Sequence, residues 1–456
     1  MSSSATTSST FHDLGLSPRL ISALDAVGIT EPFPIQAATL RDSLAGRDVL
    51  GRGRTGSGKT YAFGLPILHR LAAQPAAPQS RRPRALILAP TRELATQIDT
   101  ALRPLARAVG LRTLTIFGGV AAGPQITSLR RGVDVIVACP GRLADLMQSG
   151  HVSLANVEIA VVDEADHMSD LGFLPVVRRL LDATPKNGQR MLFSATLDGA
   201  VDVLVQRFMR QPVSHSVDSA RSPVTAMAHH VLHVTSDDRL PVLVDLTSAP
   251  GRTLVFTRTK HGAKLLARKL TAAGVPSVEL HGNLSQSARS RNLAAFSEGR
   301  APTLVATDIA ARGIHVDDIH LVVHADPPVE HKAYLHRSGR TARAGAAGTV
   351  VTLVTDAQAR DVRSLTRKAG ISPTTTRLTA KHPLLEQIAP GERTLVAPSA
   401  SALPAPEQRS GRGGRRSPAR SSGRSARRTS SGHRSRQSGS ARTASTFSAG
   451  VRGRSR

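Results

Sequence analysis

The sequence predicts an α/β fold with two consecutive parallel-sheet domains, followed by a basic low-complexity tail. Short apolar runs alternate with helical stretches in two successive blocks of a 456-residue chain, which is too long for one ordinary core. Strands that are apolar throughout are typical of parallel sheets covered by helices on both faces. Because ligands of such sheets bind beyond the carboxyl ends of the strands, the residues that follow each strand indicate function.

The first block opens with a loop whose pattern fits phosphate binding. The loop Gly53-Arg54-Thr55-Gly56-Ser57-Gly58-Lys59-Thr60 follows a predicted strand that ends at Asp48-Val49-Leu50 and precedes a predicted helix over Tyr61 to Leu71. Its glycines allow backbone N–H groups to point at phosphate oxygens, and the helix N-terminus adds positive charge. Lys59 is expected to reach the β- and γ-phosphates, and the Thr60 hydroxyl to hold Mg²⁺. A glycine-rich turn before a helix is the alternative.

Five further predicted strands of this block end in, or are followed by, polar residues and glycines. The strands are Arg84–Ala89, Arg112–Phe117, Asp134–Ala138, Ile159–Asp163 and Arg190–Ser194, with helices over Arg92–Val109 and Pro124–Arg131. In the same order, the strand-end residues are Pro90-Thr91-Arg92-Glu93-Leu94, Gly118-Gly119, Cys139-Pro140-Gly141-Arg142, Asp163-Glu164-Ala165-Asp166 and Ser194-Ala195-Thr196.

The fourth strand places two carboxylates side by side. In phosphate-loop enzymes the acid that ends such a strand holds Mg²⁺, which assigns this role to Asp163. The adjacent Glu164 is suited to orient and deprotonate an attacking water. Acids that cap a following helix are the structural alternative.

A second block follows Gln211 to Met227, a segment without strong periodicity that we interpret as a linker. Its predicted strands are Thr253–Phe256, Val275–Leu280, Thr303–Ala306, His320–His324 and Thr349–Val354, with helices over Lys260–Ala273 and Gln286–Glu298. It lacks a phosphate loop. Its strand-end residues are Gln286-Ser287-Ala288-Arg289, Thr307-Asp308-Ile309-Ala310-Ala311-Arg312-Gly313 and His336-Arg337-Ser338-Gly339-Arg340-Thr341-Ala342-Arg343. The arginines of the last segment either form a solvated basic face or face a nucleotide held by the other domain.

Charge and composition indicate a polyanionic partner. The formal net charge is +27, and about half of it lies in residues 409–456, which contain 14 arginines and no acidic residue. A basic body with a basic tail favours nucleic acid. The single cysteine, Cys139, excludes an internal disulfide and fits a reducing compartment. No apolar run approaches the ~20 residues of a membrane span, and the N-terminus lacks a signal core, so we expect a cytoplasmic protein without membrane contact.

The ordered motifs resemble those of the DEAD-box ATP-dependent RNA helicases of superfamily 2. The resemblance covers Phe11 to about Leu378, and it includes the box Asp163-Glu164-Ala165-Asp166 and the segment Gly28-Ile29-Thr30-Glu31-Pro32-Phe33-Pro34-Ile35-Gln36. It implies two tandem RecA-like domains. The expected organisation is a disordered N-terminus over 1–10, a first domain over 11–212, a linker over 213–227, a second domain over 228–380 and a disordered Arg/Ser/Gly-rich tail over 381–456.

The resemblance also implies roles for individual residues. The implied activity is an RNA-stimulated ATPase that opens short RNA duplexes or remodels RNA–protein complexes as the two domains close on single-stranded RNA. ATP and Mg²⁺ are the implied cofactors, and catalysis is implied for Lys59, Thr60, Asp163, Glu164, Arg340 and Arg343. The implied ATP-binding residues are Gln36, Thr55, Gly56, Ser57, Gly58, Lys59 and Thr60, of which Thr60, with Asp163, holds the metal. The implied RNA contacts are Thr91, Arg92, Gly119, Arg142, Arg289 and Thr307, and the coupling residues are Asp166, Ser194, Thr196 and His336.

Some features depart from the family pattern, and two other functions remain open. Ile29 stands where the family usually has an aromatic that stacks on adenine, Cys139 replaces a threonine, and His315 replaces an aspartate. A DNA helicase of the same superfamily and a non-enzymatic RNA chaperone that acts through its tail are the alternatives. We expect a monomer that contacts RNA without sequence specificity, with ribosome-assembly or RNA-decay proteins as possible partners.

Overall fold

Both expected parallel sheets are present in the computed structural model, which describes residues 10–53, 56–196, 199–217, 227–311, 316, 318–342 and 347–397. Thr55, His315, Arg343, most of the expected linker, the first nine residues and the chain from 398 onward lie outside the described residues. Within the described part, no helix has the length and apolar character that a membrane span requires.

The first sheet has seven parallel strands in the order β3-β4-β2-β5-β6-β1-β7. Its strands are β1 (Val49–Arg52), β2 (Ala85–Leu88), β3 (Thr113–Ile116), β4 (Val135–Ala138), β5 (Ile159–Asp163), β6 (Gln189–Ser194) and β7 (Val213–Ser216). The helices are α1 (Pro18–Asp25), α2 (Pro34–Leu44), α3 (Lys59–Ala73), α4 (Arg92–Ala108), α5 (Gly123–Arg131), α6 (Pro140–Gln148), α7 (Ala165–Asp170), α8 (Leu174–Asp182) and α9 (Gly199–Phe208).

Apolar side chains cover both faces of this sheet. Along β2, Ala85 and Ile87 belong to one buried cluster, whereas Leu86 and Leu88 belong to another. Successive strand residues point to opposite faces, so an all-apolar strand requires a packed layer on each side. The prediction of a parallel sheet covered on both faces is therefore confirmed.

The second sheet repeats this architecture in the order β10-β11-β9-β12-β13-β8-β14, again with parallel pairing throughout. Its strands are β8 (Met227–His233), β9 (Arg252–Thr257), β10 (Ser277–Leu280), β11 (Thr303–Thr307), β12 (Ile319–His324), β13 (Gly348–Val354) and β14 (Thr374–Arg377). The helices are α10 (Arg239–Ser248), α11 (Lys260–Ala272), α12 (Gln286–Ser297), α13 (Asp308–Ala311), α14 (His331–Ser338), α15 (Ala359–Lys368) and α16 (Leu384–Ile388).

The linker expected over 213–227 is wrong at both of its ends, because Val213–Ser216 forms β7 and β8 begins at Met227. The reason lies in Asp48, just before β1. Its side chain accepts a hydrogen bond from the Arg210 N–H at 2.7 Å, and its backbone oxygen accepts one from the Val213 N–H at 2.8 Å. These two contacts align β7 with β1, although the sequence of β7 contains only one apolar residue.

The prediction that a disordered tail begins at residue 381 is also wrong for the first residues of that segment. Leu385, Ile388 and Ala389 are buried in a core cluster of the second sheet. Beyond them, the Arg393 guanidinium contacts the Asp245 carboxylate at 2.9 Å, and the Val396 N–H donates to the Gly274 oxygen at 2.7 Å. Residues 384–396 therefore pack on the second domain.

Gly51 in β1 gives a test of the packing beneath the phosphate loop. A Cβ added at Gly51 would lie 2.4 Å from Phe193 Cε1, so Gly51→Ala must displace a buried ring. We expect this overpacking to reduce the free energy of unfolding of the first domain by about 1–3 kcal/mol, measured by chemical denaturation. Gly123→Ala is the control, because an added Cβ at Gly123 meets nothing within 4 Å. Equal stability of the two variants would contradict the prediction.

Candidate active site

Strands β5, β6 and β1 bring the predicted motifs to one edge of the first sheet. They are neighbours, with Asp163 in register with Phe193 and Arg52 in register with Ser194. Because the strands are parallel, their carboxyl ends lie together. The acids after β5, the Ser-Ala-Thr segment after β6 and the loop after β1 therefore converge, as the sequence predicts.

The loop is held by hydrogen bonds to its own start and to β6. Lys59 is buried, and its Nζ donates to the Gly53 oxygen at 2.7 Å. The Gly53 N–H donates to the Ser194 oxygen at 3.2 Å. Gly58 has φ +88°, and an added Cβ there would lie 2.6 Å from Gln36 Nε2, so both conformation and space require glycine. Thr60 follows Lys59 in the first turn of α3, where backbone N–H groups are free for anions.

Gln36 connects α2 to this loop. It is fully buried, and its Nε2 donates to the Gly58 oxygen at 2.9 Å. Its Oε1 accepts the Phe33 N–H at 3.0 Å and so caps the start of α2, where the phenyl side chain offers no acceptor. The Gln36 amide is thus fixed beside the loop, as expected for a nucleotide-binding residue.

The two adjacent acids have different surroundings. Burial raises the pKa of the Asp163 carboxyl, although the nearby positive charge of Lys59 opposes this. Burial also disfavours the ionised form of Glu164, but the hydrogen bond from His167 and the charges of His167, Lys59 and Arg340 outweigh it and hold the pKa of Glu164 below its usual range. The hydrogen bond joins Glu164 Oε2 and His167 Nδ1 at 2.9 Å. Sequence reasoning missed His167, which lies one helical turn after Glu164.

Asp166 links the box to the segment after β6. Its Oδ2 accepts hydrogen bonds from the backbone N–H and the hydroxyl of Thr196 at 2.9 and 3.0 Å. The Asp166 N–H donates to the Ser194 hydroxyl at 3.3 Å. These three predicted coupling residues therefore form one hydrogen-bonded group that also reaches the loop through the Ser194 backbone.

In the second domain, α14 carries the fourth coupling residue, His336, and Arg337, and Arg340 follows the end of the helix. Arg340 is buried, its Nε donates to the His336 oxygen at 3.4 Å, and its charge acts on Glu164 of the first domain. Arg337 Nη2 contacts Asp308 Oδ2 at 2.7 Å, and the Arg337 guanidinium lies 5.0 Å from the centre of the Phe256 ring. Arg337 therefore anchors α14, the helix that precedes Arg340.

A buried polar contact joins the two domains. Glu93 Oε1 accepts hydrogen bonds from Arg289 Nε at 2.7 Å and from Gln286 Nε2 at 3.2 Å, while Arg92 Nη1 donates to Gln286 Oε1 at 3.1 Å. Burial by itself would raise the pKa of Glu93, but the hydrogen bond and the charge of Arg289 outweigh this effect and lower the pKa below its usual value. The carboxylate is therefore ionised at neutral pH. The sequence predicts that Arg289 contacts RNA, but the residue is only 9% exposed, so little of its side chain is available to RNA.

The other predicted RNA contacts occupy different positions. An added Cβ at Gly119 would lie 2.0 Å from Arg92 Nη1, and Arg142 Nη1 donates to the Val120 oxygen at 3.3 Å. The guanidinium groups of Arg92 and Arg142 therefore converge on one glycine turn. The Thr91 hydroxyl caps α4 by accepting the Leu94 N–H at 3.2 Å, and Thr307 is buried at the end of β11.

Comparisons with family models and with known proteins indicate the same family. The family model described as DEAD/DEAH box helicase matches residues 33–203, and the model described as helicase conserved C-terminal domain matches residues 237–345. DEAD-box ATP-dependent RNA helicase 20 of Arabidopsis thaliana is 37% identical over 360 residues, which cover 78% of this chain and 72% of that protein.

Two further similarities concern length and fold. DEAD-box ATP-dependent RNA helicase 30 of Arabidopsis thaliana is 40% identical over 361 residues, which cover 78% of this chain and 61% of that protein. The match with the chloroplastic DEAD-box ATP-dependent RNA helicase 3A of Zea mays covers 49% of that protein. This chain therefore spans about half to three-fifths of the length of these two relatives. The structure of S. cerevisiae Dbp5 bound to RNA and ADP BeF3 matches with a TM-score of 0.72 and 29% identity, covering 81% of this chain and 96% of that one.

The contact between Glu93 and Arg289 provides a test of how the domains are held together. Removing one partner of a buried ion pair leaves an unpaired charge and costs about 3–5 kcal/mol. We therefore expect Glu93→Gln and Arg289→Met each to lower the closed fraction, measured by small-angle scattering with a bound ATP analogue. The double variant should lose less of the closed fraction than the two single variants lose together, because the two residues contact each other.

The control for this prediction is Glu298→Gln. Glu298 pairs with Arg300 on the surface, where both side chains are more than half exposed, so its loss should leave closure unchanged. Additive effects of the two buried substitutions would show that Glu93 and Arg289 do not act through each other.

Proposed function

This chain belongs to the family of DEAD-box ATP-dependent RNA helicases, and from this premise we propose that it uses ATP hydrolysis to open short RNA duplexes or to remodel RNA–protein complexes. The observation that carries the proposal is the convergence of the phosphate loop and the two acids at one edge of the first sheet, in a domain that Glu93 joins to Arg289 of the second. A site completed by both domains makes hydrolysis depend on closure. We take the first domain to extend to about Val217 and the second to run from Met227 to about Ala397.

The described loop residues Gly56 to Thr60, together with Gln36, support the proposed ATP site. Loop N–H groups and Lys59 would bind phosphates, and breaking the Lys59–Gly53 hydrogen bond would free the ammonium for them. Thr60 and Asp163 fit Mg²⁺, because a hydroxyl and a buried carboxylate supply the oxygen ligands that this cation prefers. When bound, Mg²⁺ would neutralise phosphate charge, with most of its ligands supplied by phosphate oxygens and water. Thr55 remains part of the proposal from sequence.

Glu164 and Arg340 would act on opposite sides of the transferred phosphate. The ionised Glu164 carboxylate can accept a proton from the attacking water, and His167 fixes its orientation. Arg340 would stabilise charge on the phosphoryl oxygens, and the sequence assigns a similar role to Arg343. The group formed by Asp166, Ser194 and Thr196 connects the acids to the loop, and His336 holds Arg340.

RNA would bind across the two domains through its backbone. The guanidinium groups of Arg92 and Arg142 at the Gly118-Gly119 turn, with Thr91 and Thr307, are suited to phosphate and sugar contacts that carry no sequence information. Since Arg92 also contacts Gln286 of the second domain, RNA that binds at Arg92 can influence closure, which makes ATP and RNA binding mutually dependent. We assign Arg289 to closure through Glu93. The arginine-rich tail would add salt-dependent affinity for RNA.

The finer features of this proposal concern place and partners. A cytoplasmic location agrees with the single cysteine, and we propose that the protein acts as a monomer. Ribosome-assembly or RNA-decay complexes are the proposed setting. Steady-state ATPase assays with RNA, with DNA and without nucleic acid separate the alternatives: stimulation by DNA indicates a DNA helicase, and the absence of turnover indicates a chaperone.

Glu164→Gln should abolish turnover while ATP and RNA still bind. The amide cannot accept the proton of the attacking water, and loss of a general base costs about 10²–10⁴-fold in rate. RNA-stimulated phosphate release and nucleotide titration measure the two properties. Glu386→Gln, in an exposed position on α16, is the matched control and should behave like the parent protein. Turnover close to that of the parent would remove Glu164 from the mechanism.

Arg340→Ala should suppress RNA-stimulated ATPase with little effect on ATP affinity. Arginines that complete a phosphoryl-transfer site from a second element contribute about 10³–10⁵-fold to turnover. The measurements are kcat at saturating RNA and the Kd for ATP. Arg363→Ala on α15 removes an exposed arginine of the same domain and serves as the control. If both variants retain full turnover, Arg340 contributes only to a basic surface.

A further inference from the structure

Phe33 is an aromatic side chain in an unusual environment. It is 47% exposed, whereas Phe63, Phe193, Phe256 and Phe296 are fully or almost fully buried. Among the residues that the structure describes, no other phenylalanine or tyrosine is in the exposed class. A single exposed apolar side chain needs no explanation by itself, so the position of Phe33 decides its meaning.

The phenyl group stands beside the phosphate loop. An added Cβ at Gly58 would lie 2.9 Å from Phe33 Cβ and 3.0 Å from its Cγ, so the ring starts directly next to the residue that precedes Lys59. The backbone of Phe33 is fixed by Pro32 and Pro34 on either side and by the hydrogen bond from its N–H to Gln36 Oε1 at 3.0 Å. The backbone from which the ring projects is therefore held by the same amide that holds the loop.

Ile29 has a different role. Its side chain is half-buried and packs against the first core cluster, and its N–H donates to the Leu24 oxygen at the end of α1 at 3.0 Å. These contacts attach Ile29 to the body of the domain. The aliphatic residue at the position where the sequence indicated a base contact is therefore engaged in packing.

Exposed aromatic surface next to a fixed amide is suited to hold a planar base. Phosphates bound at the start of α3 place the remainder of a nucleotide at the rim of the loop, where Phe33 lies with the buried Gln36 amide next to it. Ligand sites combine apolar surface, which supplies affinity, with a few fixed polar groups, which supply orientation. The Gln36 amide offers both a donor and an acceptor, whereas a phenyl ring offers only packing.

We propose that Phe33, and not Ile29, is the residue of this chain that packs against the base of the bound nucleotide. The inference rests on the proposed ATP site and adds a base-contacting residue to it. Aromatic contacts of this kind are worth about 3- to 10-fold in affinity. The contribution is the same for any flat base, so selection of adenine depends on Gln36.

The absence of tryptophan from the sequence allows a direct optical test. Phe33→Trp introduces a single tryptophan, and packing of a base on the indole quenches its fluorescence. ADP should quench Phe33→Trp, whereas inorganic pyrophosphate, which occupies the loop without a base, should not. Ile29→Trp is the matched control and should respond to neither. Quenching of Ile29→Trp together with an unresponsive Phe33→Trp would overturn the proposal.

A second measurement does not depend on the indole. Phe33→Leu should raise the KM for ATP and the Kd for ADP by about 3- to 10-fold, with the Kd for pyrophosphate and kcat unchanged. Ile29→Val should leave all four quantities unchanged. Unaltered ADP binding by Phe33→Leu would refute the base contact. If the parent protein neither binds nor hydrolyses ATP, the proposed function fails; if it does both and Phe33→Leu matches it, only this inference fails.

Discussion

The position of β6 between β1 and β5 is the constraint on which the site depends. Parallel pairing in register brings the ends of these three strands to one edge, and the Gly53 N–H is hydrogen-bonded to the oxygen of Ser194. Since the Ser194 hydroxyl also contacts Asp166, a single residue connects the loop with the box of acids. Because the strands carrying these groups are buried on both faces, their register has little freedom to change.

A second constraint is that the chemistry is divided between two domains. The first provides the loop and both acids, and the second provides Arg340. A buried, directional ion pair between Glu93 and Arg289 spans the division. A buried ion pair contributes little net stability, but separating its partners leaves two unpaired charges. The pair therefore favours the one relative position of the domains in which both partners meet. Such selectivity suits a protein whose activity depends on closure.

Two of the strands that sequence reasoning missed, β7 and β14, lie on the same side of each sheet and are polar. β7 reads Val-Ser-His-Ser and β14 reads Thr-Thr-Thr-Arg, and both are edge strands. An edge strand has one neighbour and solvent on its other side, so apolar runs are not required of it. β8 contains three histidines, and His229 reaches the Tyr334 hydroxyl at 3.1 Å, a contact that no local pattern indicates. β8 is the exception among the central strands, and the others were found because burial on both faces leaves a readable apolar run.

The sequence by itself indicated the candidate site residues, because the phosphate loop, the adjacent acids and the arginine segment each have a recognisable local pattern. It also determined the two-domain α/β class, through strands that are apolar on both faces. Only the tertiary structure decided which of these residues act together. It placed Arg289 against Glu93, His167 against Glu164 and Phe33 beside Gly58 while Ile29 packs on the core. Each of these contacts depends on the distance and direction between two side chains, some of which are far apart in the chain. Hydrophobic periodicity predicts helices and strands, but it does not predict which side chains meet.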